Sequence, residues 1–111
     1  PVKEKLDKKD KDLTFSLLRK IAELGLLGIA VPEEYGGMEL DKITSAIVAE
    51  AMSHSQCASF VVTWSTNLGI GSLPIVWFGT PAQKEKYLPR LTDGTCIGAY
   101  GLTEPSAGSD A

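Results

Sequence analysis

With 111 residues the chain holds one domain at most, enough for a modest core. A hydrophobic fraction of 43% against 23% charged is ordinary for a folded globular protein, and no run of about 18 apolar residues suggests a membrane span. The net charge of -3 gives no case for nucleic-acid binding. Two distant cysteines, Cys57 and Cys96, form no metal-ligand spacing, and a reduced interior is favoured over a disulfide. The lone His54 reads as a loop or capping residue, so no metal site is expected.

Residues 1–12 alternate Lys with Asp and Glu, a solvated lead-in or the first turns of a helix. Leu13, Leu17, Leu18, Ile21 and Leu24 then recur at helical spacing. Gly25 or Gly28 ends that helix with a left-handed cap. Ile29 to Pro32 is extended, and Glu33 to Gly37 turns. Asp41 is an N-cap for a second helix that buries Ile43, Ile47, Val48 and Ala51. After Ser53-His54-Ser55 a third helix, 56–71, is apolar nearly all round and is expected inside a bundle. Ser72 caps a short fourth helix ending at Gly79. Thr80-Pro81-Ala82-Gln83 is a capping box with proline at the first helical position, and opens a fifth helix through Leu91. Trp64 and Trp77 read as core residues. Asp93-Gly94 leads into the one expected strand, Thr95 to Leu102.

Five helices before one strand predict a mainly α domain followed by the start of a β domain. A strand without a partner leaves unpaired amides and carbonyls, and the chain opens on Pro1 and stops inside a loop. A piece of a longer protein is therefore expected. That final loop, Thr103 to Ala111, is rich in Ser, Gly and Ala. Small residues let a ligand approach the backbone, and the hydroxyls of Thr103, Ser106 and Ser109 suit a polar or anionic cofactor edge. It is neither of the common phosphate loops, and composition alone favours an ordinary turn.

Three stretches resemble acyl-CoA dehydrogenases, in that family's order and spacing. They are Leu24 to Gly37, ending Pro32-Glu33-Glu34-Tyr35-Gly36-Gly37; Phe78 to Pro89; and the nine residues Leu102 to Asp110. The resemblance covers roughly residues 13–111. It implies an N-terminal, bundle-like helical domain over 1–94 and the first strand and flavin-contacting loop of a truncated middle β domain over 95–111. It implies FAD and the α,β-dehydrogenation of acyl-CoA thioesters to 2-enoyl-CoA. In that reaction a base takes the α proton and the β hydride passes to flavin N5. The family's base belongs to a later domain, so no residue here is assigned as catalytic.

By the same resemblance, Tyr100, Leu102, Thr103, Gly108 and Ser109 bind the cofactor. Leu102 offers its backbone and Thr103 a hydrogen bond to the isoalloxazine ring. Ser109 reaches the pyrophosphate region and the pantetheine arm of the substrate. Val62, Thr63, Thr66 and Ile70 are candidates to line the acyl tube, and small residues with no Glu, Lys or Arg between 55 and 83 fit a long chain or, equally, close helix packing. Glu104 is given only a structural role beside Pro105. An electron-transferring flavoprotein as acceptor, a dimer or tetramer, and a cytoplasmic or mitochondrial-matrix location complete the expectation. The alternatives are a same-fold acyl-CoA oxidase or flavin monooxygenase, and a helical interaction module without chemistry.

Overall fold

A computed structural model of the chain describes residues 2–110. The charged lead-in is a helix, α1 (Val2–Asp7), pinned by buried Leu6. Asp10 then caps α2 (Lys11–Glu23), its carboxylate accepting from the Leu13 amide. Because α2 is amphipathic, it lays Leu18, with Leu13, Leu17 and Ile21, on the core. Gly25, at φ +76°, ends it as expected. The Gly25 and Leu26 amides there donate to Ala22 and Ile21, closing a Schellman cap.

Residues 27–31 run through the centre of the molecule, with Leu27, Ile29 and Val31 almost fully buried. Their carbonyls are satisfied by a return strap. Met38, Glu39 and Leu40 donate to Gly28, Val31 and Ile29 at 2.9, 3.0 and 2.7 Å. A 3-10 turn at Glu33–Tyr35 and Gly36, at φ +83°, make the reversal.

Asp41 caps α3 (Lys42–Ser53) through the Thr44 amide at 2.7 Å. The expected buried face is corrected here: Ile43 and Ile47 are 71% and 61% exposed. Ala51 is exposed as well, whereas Val48, as expected, touches the core together with Met52, so the helix is turned from the expected orientation. Hydrophobic spacing marks which residues share a stripe, and α3 carries two adjoining ones.

The single helix expected over 56–71 is two pieces, α4 (Ala58–Thr66) and a π turn over Asn67–Gly71. Within 56–71 only Cys57, Phe60, Trp64 and Asn67 are buried. The Trp64 indole donates to the Leu26 carbonyl at 2.8 Å, fastening α4 to the central segment. Next comes α5 (Leu73–Phe78). Ser72 does not cap it; its hydroxyl donates back to the Asn67 carbonyl at 2.6 Å, supplying a partner to a backbone group in the widened turn. Trp77 is a further correction. It stands 58% exposed beside Phe78, edge to face with ring centroids 6.4 Å apart, and is not core.

The Thr80–Gln83 capping box forms in both directions, opening α6 (Pro81–Thr92). Leu88 and Leu91 pack with Val31 in a second small core. The strand expected over 95–102 is not formed among the described residues. A strand exists through its ladder, and this segment meets no second strand. It is held by single bonds, Cys96 amide to Arg90 and Gly98 amide to Asn67.

Candidate functional site

The loop after Gly98 leaves the helical body. Its backbone hydrogen bonds among the described residues are one reciprocal pair, Glu104 amide to Ala107 at 2.7 Å and the return bond at 3.2 Å. Pro105 follows Glu104 inside that turn, where its fixed φ suits the bend. Glu104 and Pro105 thus have the structural role expected of them. The turn brings the two ends of the loop together. A Cβ on Gly108 would lie 3.7 Å from the Thr103 methyl carbon.

Tyr100 and Leu102 are 54% and 47% exposed, Thr103 and Ser109 are exposed, and Gly108 is half-buried. The loop therefore presents two hydroxyls and a run of backbone amides with no partner from the helical body. Such a strip of outward donors fits an anionic or carbonyl-rich cofactor edge. The donor set fits a flavin and its pyrophosphate, which offer acceptors. Ala111, the last residue of the loop, lies outside the described residues, as does Pro1.

The four acyl-tube residues are not gathered around one cavity. Val62 and Ile70 are exposed on the outer side of α4 and the π turn, and Thr66 is half-buried. Thr63 borders a cleft of about 490 Å³ with Leu6, Phe15, Phe60 and Ile97. Val62 borders a separate one of about 330 Å³ with Gln56, Cys57 and Val61. Neighbouring residues on a helix point about 100° apart, so 62 and 63 naturally serve different surfaces.

Asn67 escaped the sequence reading. It is 1% exposed, and its amide donates to the Leu91 carbonyl at 3.1 Å while accepting from the Gly98 amide at 2.7 Å. The chain's one asparagine, set in the middle of the uncharged 55–83 stretch, was the available signal, because a buried amide must find partners. His54 meets its expectation as the cap residue of α3, its Nδ1 2.9 Å from the Glu50 carbonyl. Both cysteines are free, Cys57 buried and Cys96 half-buried. Among the described residues no cluster of His, Cys, Asp or Glu could hold a metal, and no helix is long and apolar enough to cross a membrane.

A small helical domain carrying an open, donor-rich loop at the end of its last helix is the class defined by fold and site. Residues 1–95 match the family described as acyl-CoA dehydrogenase, N-terminal domain, and the chain belongs to that family. A probable acyl-CoA dehydrogenase of Bacillus subtilis is 58% identical over 95 residues, 86% of this chain and 16% of that protein. The crystal structure of an acyl-CoA dehydrogenase complexed with FAD from Bacillus anthracis superposes with a TM-score of 0.88 at 50% identity, covering 99% of this chain and 19% of that one. Butyryl-CoA dehydrogenase from Megasphaera elsdenii gives 0.73 at 39% identity, over 90% of this chain and 26% of its own. The chain thus spans about a fifth of the length of these relatives.

Proposed function

We propose that this chain supplies the helical domain and the flavin-contacting loop of an FAD-dependent acyl-CoA dehydrogenase. Residues 1–94 are the helical domain and 95–111 the opening of the next. The observation that carries the reading is the loop itself: Thr103 and Ser109 exposed on an open backbone, in a chain that belongs to this family. The bound flavin would accept a hydride from the acyl β carbon. Thr103 would hydrogen-bond the ring, with Tyr100, Leu102 and Gly108 beside it, and Ser109 would serve both the pyrophosphate and the pantetheine arm.

The substrate reading goes further, to a long acyl chain lying along α4 past Val62, Thr63, Thr66 and Ile70. In support, 55–83 carries no Asp, Glu, Lys or Arg. A groove of about 270 Å³ on another side of α4, lined by none of these four residues, has Ala46, Ala49, Ser65 and Gly69 in its walls together with Trp64, Leu68 and Leu73. Each methylene buried there contributes about 0.8 kcal/mol, so groove depth sets chain preference. An electron-transferring flavoprotein as acceptor, a homodimer or homotetramer, and a cytoplasmic or matrix location belong to the same proposal.

The test is FAD titration and turnover of the full-length enzyme from butyryl- to palmitoyl-CoA. A neutral hydrogen bond contributes about 0.5–1.5 kcal/mol. Thr103→Ala should therefore weaken FAD binding about two- to tenfold, and Ser109→Ala should raise the KM for acyl-CoA. Unchanged FAD affinity, KM and kcat in both variants would remove these roles. A kcat/KM maximum at four carbons refutes the long chain, and hydrogen peroxide release at the turnover rate would make the enzyme an oxidase.

A further inference from the structure

We propose that Asn67 is a positioning residue for the cofactor loop: its buried amide, held between Leu91 and Gly98, aims residues 99–109 away from the helical body. The inference rests on the flavin reading above and adds the group that orients the flavin segment.

Both ends of the Asn67 amide are used, and both partners are backbone. One is the Leu91 carbonyl near the end of α6; the other is the Gly98 amide, at 3.1 and 2.7 Å. These partners lie 24 and 31 residues away in sequence. A buried amide costs free energy unless satisfied, so the side chain holds these two backbone points at a set separation. Its own carbonyl is tied by Ser72, so the π turn that carries Asn67 is itself braced.

A second contact acts at the same point. A Cβ on Gly98 would meet the Gly71 Cα at 2.8 Å, and a Cβ on Gly71 would meet the Gly98 Cα at 2.8 Å. Only glycine at both positions allows the two backbones to approach so closely. Among the described residues, Gly98 is also the last at which a hydrogen bond ties the chain to the helical body. Thr103 lies five residues further on, a reach of about 17 Å when extended. A tilt of about 10° at Gly98 would move it by about 2–3 Å, beyond hydrogen-bond tolerance.

The experiment uses the full-length enzyme and two variants that act from opposite sides, Asn67→Leu and Gly98→Ala. Three quantities are read: FAD affinity by fluorescence, hydrogen exchange of residues 96–103 and of α2, and the split of kcat from KM. Faster exchange at 96–103 with α2 unchanged, and FAD bound about tenfold more weakly, are expected of each. The double variant should be no worse than the poorer single one, because both break one latch. Faster exchange with FAD affinity within about twofold of the parent overturns the proposal, as do unchanged exchange or additive effects. If Asn67→Leu does not fold, Gly71→Ala replaces it with the same expectations. FAD binding by the parent separately judges the flavin reading, while exchange at Gly98 still reports whether the latch exists.

Discussion

Gly36 and Gly37 stand side by side for different reasons, and Gly37→Ala separates them. Gly36 needs its positive φ of +83°. Gly37 does not: its φ lies outside the left-handed region, and its constraint is contact. A Cβ there would overlap the Val31 carbonyl oxygen, so something must shift. Val31 is fully buried and cannot give way. The strap must lift instead, at the cost of its bonds from Met38, Glu39 and Leu40 at 2.9, 3.0 and 2.7 Å. Three backbone bonds at about 1 kcal/mol each give a loss of about 2–4 kcal/mol. In a chain of this size that lowers Tm by roughly 10–20 °C. Thermal and urea unfolding followed by circular dichroism measure it, with Gly101→Ala as the control, since a Cβ there meets nothing within 4 Å. A Gly37→Ala midpoint within about 2 °C of the control would refute the steric account.

Backbone hydrogen bonding from Thr44 holds the Asp41 carboxyl below its usual value of 3.8. A lowered native pKa means that the capping contribution is full above the unfolded value and disappears as pH falls through the native one. Acid titration of the Thr44 amide shift should show this, and Asp41→Asn should flatten the dependence; a variant with the parent's acid profile counts against it. Trp64→Phe deletes the indole donor and leaves the half-buried Leu26 carbonyl without that partner, so a loss of about 1 kcal/mol is expected in urea unfolding. Finally, Ile43, Ile47, Val62, Trp77 and Phe78 are all more than half exposed. At high concentration this 111-residue chain should self-associate, and light scattering that reports a clean monomer with no dye binding would contradict this.

Local signals translated well where the physics is local. The Asp41 cap, the Thr80–Gln83 capping box and the Gly25 stop all form as read, because each closes bonds within a few residues of itself. Asp10 used the same chemistry but was hidden in a charged run. Signals that depend on what lies opposite translated poorly. Ile43, Ile47, Val48 and Ala51 match a buried stripe, yet of these four only Val48 touches the core, beside Met52. Trp77 is apolar and large, yet faces outward. The extended 95–102 segment has strand residues without a partner strand.

The candidate site divides the same way. Thr103, Gly108 and Ser109 were legible because a loop's small residues and hydroxyls are written in their order. That Thr103 and Gly108 meet across the Glu104–Ala107 turn is nearly as local. Asn67 was not legible, since its partners Leu91 and Gly98 lie dozens of residues away. By itself, then, the sequence determined where the main helices lie, the Asp41 and Thr80 caps, the family and the residues of the loop, all properties of neighbours along the chain. Only the tertiary structure decided which helical faces are buried, where α4 widens into a π turn and what fastens the loop to the body. Those outcomes depend on distant backbone groups finding one another, and no local pattern encodes that.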